Sequence, residues 1–120
     1  MDKNIFKQII NSFPKAKDIK YQIIDEEANI FSVCFWIQLP KNSNIFFTII
    51  YVSETESFDC TYKVEIPRTT ISNKERTLCA DEDLVTEVID KINVTINSIN
   101  KYIESDQYEY DVKQRKSKKL

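Results

Sequence analysis

The side chains available for chemistry in this sequence are carboxylates, lysines and tyrosines, because it holds no histidine and only three cysteines. Without histidine there is no Ser-His-Asp triad, no Cys-His pair and no ordinary zinc–imidazole site. Glycine is absent too. Walker and dinucleotide-binding loops need a backbone that accepts φ > 0 and lets phosphate approach, so they are excluded. Carboxylates alone could serve a nuclease or a glycosidase, but every soluble protein carries them, and their presence is weak support for an enzyme. Their grouping says more. Asp25, Glu26 and Glu27 form one run, and Glu54 and Glu56 form another. Neither has the ligand spacing of a calcium loop, and no metal or cofactor is expected. Brought together, these acids would imitate a row of phosphates and fill a basic groove on a partner.

The three cysteines, Cys34, Cys60 and Cys79, are odd in number and contain no CxxC pair. That argues against a structural zinc site and for reduced thiols in a cytoplasmic setting. Met1-Asp-Lys-Asn4 does not begin a secretory signal, and no apolar run reaches the length of a membrane span. Ile, Lys, Asn, Phe and Tyr make up 54 of the 120 residues, whereas Ala, Arg, Pro and Gly make up 9. That is the codon signature of a low-GC genome, which accounts for part of the missing glycine.

Charge is unevenly distributed. The net charge is −2, yet the last eight residues carry five positive charges: Lys113, Arg115, Lys116, Lys118 and Lys119. Residues 1–112 therefore hold 12 basic and 19 acidic residues, a net of −7. The expected organisation is one domain over 1–112 followed by a basic, disordered tail over 113–120. The tail either contacts phosphate or merely solvates the chain end.

The elements that must position these groups follow from hydrophobic period. Ile5, Phe6, Ile9, Ile10 and Phe13 form one stripe of a helix over 3–13, with Asp2 as its cap and Pro14 as its stop. Alternation predicts strands over 18–24, 30–39, 45–52 and 57–66. In the second strand Phe31, Val33, Phe35, Ile37 and Leu39 share one face, and Ile30, Cys34 and Trp36 lie on the other. The third is apolar on both faces. Its register decides whether Phe46, Ile50 and Val52, or Ile45, Phe47, Ile49 and Tyr51, join Trp36. The fourth places Phe58, Cys60, Tyr62, Val64 and Ile66 inward. Residues 67–80 read as a polar connection with a short extended piece near Thr69–Ile71. Residues 82–104 read as a long helix, capped by Asp81, with Val85, Val88, Ile89, Ile92, Ile96, Ile99 and Ile103 as its stripe. Residues 106–112 read as a short strand or irregular chain. The expected fold is a two-layer α+β domain: a four-stranded antiparallel meander with an N-terminal and a long C-terminal helix, in the order α-β-β-β-β-α. Helix, strands, helix resembles the order of a double-stranded-RNA-binding domain. However, Asp81, Glu82 and Asp83 stand where that domain's last helix would need basic residues.

A meander puts the turns after its first and third strands at one end of the sheet, so Glu26, Glu27, Glu54 and Glu56 should cluster. An apolar second face carrying Trp36 marks an interface, either with a foreign protein or in a homodimer. The expected function is that of a small non-enzymatic protein-binding module without contact to membranes. It would be of the inhibitor or immunity type carried by phage or mobile elements, with anti-CRISPR and toxin-immunity proteins as analogies and a nuclease or other defence component as partner. The alternative is a nucleic-acid-associated protein using Lys113, Arg115, Lys116, Lys118 and Lys119.

Overall fold

Four hydrophobic strand patterns joined by links of a few polar residues can only fold back on one another, and in the computed structural model they do. The structure describes residues 3–69 and 73–118, the last four by backbone alone. A 3-10 turn (Lys3–Phe6) leads into α1 (Lys7–Asn11). Then come β1 (Lys17–Asp25), β2 (Ile30–Leu39), β3 (Ser43–Val52), β4 (Ser57–Glu65) and β5 (Arg76–Glu82), followed by α2 (Val85–Ile103) and α3 (Asp106–Lys118). The strands form one antiparallel sheet in the order β1-β2-β3-β4-β5. This is the α+β meander expected from the sequence, with one strand and one helix more than predicted.

Three corrections follow. The stretch 76–82 is a strand and not part of a loop. Its Cys79 stands opposite Cys60 and is buried. Asp81 does not cap α2: it lies within β5 at φ 52, and its N–H donates to Asp59 Oδ1 at 2.8 Å. The helix starts after Leu84, which makes no side-chain cap, and the Leu84 N–H is taken by Glu82 Oε1 at 3.3 Å. Residues 106–112 are helical, since Tyr108 and Val112 fall one turn apart and both reach the core. The boundary drawn at residue 112 thus falls inside α3, whose backbone runs to Lys118. Thr69 bends the chain and donates to Ile66 O at 2.9 Å. The proposed cap Asp2, the rest of the extended piece (Thr70 and Ile71) and Lys119 lie outside the described residues.

Pairing is regular through the centre: all ten residues of β2 oppose all ten of β3. This settles the open register. Ile45, Phe47 and Ile49 join Val33, Phe35, Ile37 and Leu39 in the core, together with Phe6, Ile9, Val88, Ile92, Ile103 and Tyr108 from the helical layer. Phe35 and Phe47 meet ring to ring at 5.4 Å. All the helices that reach the core therefore lie over one face. Ile30, Cys34, Trp36, Phe46, Ile50 and Val52 remain on the other, half-buried and outside the core cluster.

The turns and strand irregularities manage without glycine by setting other residues left-handed. Asp18, Asn29, Lys41, Asn42, Glu56, Arg68 and Asp81 all have positive φ. Four of these are Asp or Asn, which tolerate that region best. Lys41 and Asn42, both at positive φ, make the turn between β2 and β3, closed by Ser43 N–H donating to Pro40 O at 3.2 Å.

Candidate interaction face

The sheet face that no described helix covers reads as rows of residues across adjacent strands. Lys17 pairs with Trp36, Trp36 with Phe46, and Phe46 with Lys63, which gives one row across β1–β4. The Trp36 and Phe46 rings lie 6.2 Å apart. Lys17 Nζ sits 5.1 Å from the indole and Lys63 Nζ 5.3 Å from the Phe46 ring. The indole Nε1 donates to Asp18 Oδ2 at 2.7 Å, and Lys17 Nζ donates to Gln38 Oε1 at 3.2 Å. The next row is Lys20, Cys34, Thr48 and Thr61. With the aromatic row it encloses a shallow trough of about 380 Å³. Thr61 Oγ1 donates to Glu75 Oε1 at 2.5 Å, so the segment before β5 covers part of β4 here.

The opposite end of the face is apolar and acid-rimmed. Asp25, Ile30, Val52 and Ser57 form its last row. Beyond them the turn bearing Glu26 and Glu27 abuts the turn bearing Glu54 and Glu56. Ser53 ties the two together, since its N–H and Oγ both donate to Asn29 O, at 3.3 and 2.7 Å. Asp25 Oδ1 accepts the Ala28 N–H at 3.0 Å and rigidifies the first turn. The four glutamates are exposed and at one end, as the meander predicts. Trp36 is not among them. It stands six residues along β2 from Ile30, on the order of 20 Å away at the strand rise of roughly 3.3 Å per residue.

Lys17, Lys20 and Lys63 are the residues of this face that sequence reasoning missed, whereas Phe46 belongs to one of the two registers it left open. Alternation alone assigns Lys63 to the polar side of β4. Only the β3–β4 register places that side behind Trp36. Among the described residues the single ion pair is Lys91 with Glu82, at 3.4 Å. The lysines of the aromatic end and the glutamates of the turn end thus make no ion pair among the described residues.

Other candidate chemistry is sparse. Among the described residues no group of three or more His, Cys, Asp or Glu is placed to hold a metal ion, so the clustered turns do not converge on a cation site. The thiols are free. Burial pushes Cys60 well above the usual thiol range and raises Cys79 too, which leaves half-buried Cys34 as the accessible one. A groove of about 670 Å³ between the start of β1 and α2 is lined by Lys15, Lys17, Gln38 and Asn100 with apolar neighbours, and its lining holds no carboxylate or thiol. No helix among the described residues is long and apolar enough to cross a membrane. Of the basic tail, Lys113 is exposed on α3, and Arg115, Lys116 and Lys118 follow on the same helix. No family model, no curated protein and no solved structure matches this chain.

Proposed function

We propose that this chain is a non-enzymatic protein-binding module whose working surface is the uncovered sheet face with its acid-rimmed end. The observation that supports this most is the segregation itself. All the described helices reaching the core lie on one side, and the other keeps Ile30, Trp36, Phe46, Ile50 and Val52 half-exposed between lysines and glutamates that make no ion pair among the described residues. A solvated sheet back alternates polar residues at such positions, whereas an aromatic pair ringed by charge is the composition of a contact surface. The acidic body and the clustered glutamates fit a partner with a basic groove, in keeping with an inhibitor or immunity-type role against a nuclease or other defence component.

The test is calorimetric titration of a partner purified from the native host on the wild-type chain. Two variants are then compared: Trp36→Ala, and Glu26, Glu27, Glu54 and Glu56 all changed to Gln. Each should weaken binding at least about tenfold, by the truncation cost of a central anchor or of complementary charge. Unchanged affinity in both would remove the reading. The second reading, nucleic-acid association, draws on the five positive charges of residues 113–120. Deleting them should abolish salt-dependent DNA or RNA binding and leave protein binding intact.

A further inference from the structure

The charged ends of this sheet face are complementary to each other in a way that selects a specific occupant. Four rows cross β1–β4. The first holds Lys17, Trp36, Phe46 and Lys63, and the fourth holds Asp25, Ile30, Val52 and Ser57, with Glu56 next to Ser57. A two-fold axis lying in the face, across the strands and midway between the second and third rows, superposes the first row of one copy on the fourth of another. Lys17 then meets the Asp25–Glu27 turn, Trp36 meets Ile30, Phe46 meets Val52, and Lys63 meets Ser57 and Glu56. We infer that the sheet face is an isologous dimer interface in which two copies pack back to back with their strands antiparallel.

Charge decides the orientation. A two-fold axis along the strands would set lysine on lysine and glutamate on glutamate, which is repulsive at both ends. The crosswise axis sets Lys17 and Lys63 against the acidic turns and leaves the aromatic pair on aliphatic Ile30 and Val52. The area suffices. Four strands at about 4.8 Å by roughly 30 Å of strand give on the order of 600 Å² per copy, or about 1,200 Å² in all, the lower bound for a specific interface. The body's net of −7 opposes association, so the dimer is a micromolar one held by local complementarity. Cys34, in the second row, lies half a row from the axis, so the Cys34 residues of the two copies stand one row apart along the strands, with the sheets about 10 Å apart. That suits a short bis-maleimide and is too far for a disulfide.

This inference rests on the reading of the sheet face as a contact surface, and a charge swap tests it separately. One variant carries Lys17→Glu and Lys63→Glu, the other Glu26→Lys and Glu56→Lys; all four positions are exposed. Sedimentation at tens of micromolar and low salt should show the wild type as a dimer, each variant alone as a monomer, and their equimolar mixture as a dimer again. A short bis-maleimide should link wild-type chains and fail on Cys34→Ser. A monomeric wild type, variants that still self-associate, or a mixture that stays monomeric would overturn the proposal. If a variant does not fold, the Cys34 cross-link on the wild type decides: none formed means no such dimer. A monomer whose Trp36→Ala variant loses a foreign partner would overturn the dimer and leave the function proposed above standing.

Discussion

The indole of Trp36 is held by Asp18: Nε1 donates to Oδ2 at 2.7 Å across the β1–β2 pair, from a residue at φ 51 within a β-bulge. The bulge lets β1 shift register between Lys17 and Lys20 and turns Asp18 toward the ring. Asp18→Ala loses the acceptor and forces alanine into the left-handed region, a cost of about 1–2 kcal/mol for the backbone alone. Asp18→Asn keeps an acceptor and tolerates that φ. Urea unfolding should therefore show Ala clearly destabilised and Asn close to wild type. Trp36 fluorescence should shift to the red only in the alanine variant, as its ring loosens.

A second test concerns the join between the β2–β3 hairpin and the helical layer. Lys41 Nζ donates to Ile103 O, the last residue of α2, at 3.0 Å and lies 4.4 Å from the Tyr108 ring. A cation there satisfies an orphan carbonyl and the negative end of the helix dipole. Lys41 also sits at φ 55. Lys41→Ala should cost about 1–2 kcal/mol, because the bond is lost and the left-handed strain stays. Lys41→Gly loses the same bond but relieves the strain, so it should be the milder of the two in thermal unfolding. The reverse order would mean that the hairpin geometry is not what holds Lys41 in place.

What could be read from the sequence depended on how loud the hydrophobic period was. β2 was legible to the residue because its two faces are both apolar and bounded by Asn29 and Pro40. The sheet back with Trp36, and the clustering of Glu26 and Glu27 with Glu54 and Glu56, followed from alternation and short turns alone. β5 was silent: Arg76-Thr-Leu-Cys-Ala-Asp-Glu82 has three apolar neighbours, Leu78, Cys79 and Ala80, and no alternation. Pairing with β4 makes it a strand, and that is a tertiary fact. In α3, Tyr108, Tyr110 and Val112 alternate like a strand, yet Tyr108 and Val112 also sit at helical spacing. The helix exposes Tyr110, at 57%, to bury the other two. The lysine row escaped notice because it is assembled from three strands and appears only once their registers are fixed.

The alkaline limit of stability should trace to three groups. Burial, then the hydrogen bond to Asp111, pushes the Tyr102 hydroxyl above its ordinary 10.0, and burial pushes Cys60 and Cys79 above 9.0. In each case folding raises the pKa, so the contribution is complete below the ordinary value and is lost as pH rises past it. Urea midpoints should be flat from neutral pH to about 9, fall as the thiols become the limiting groups, and fall more steeply above about 10. Tyr102→Phe should cost about 0.5–1.5 kcal/mol at neutral pH, where it removes the bond from α2 to Asp111 on α3. Above pH 10 its curve should approach that of the wild type. A variant that loses stability in parallel with the wild type throughout would mean that Tyr102 is not the titrating group.

Glu56 separates stability from contact. It closes the β3–β4 turn by donating its N–H to Ser53 O at 3.2 Å, and does so at φ 49. A glutamate there carries the left-handed penalty that glycine escapes, partly offset by glycine's greater freedom in the unfolded chain. Glu56→Gly should therefore stabilise the fold by about 0.5–1 kcal/mol and raise the thermal midpoint. Glu56→Asn, which tolerates the same φ, should be near neutral or slightly stabilising. Both remove a carboxylate that faces Lys63 of a second copy in the proposed dimer, so both should weaken self-association while leaving the fold as stable as before or more so. If association falls only in variants that also lose stability, Glu56 acts through the turn. If it falls in the stabilised Glu56→Gly chain, the carboxylate itself makes the contact.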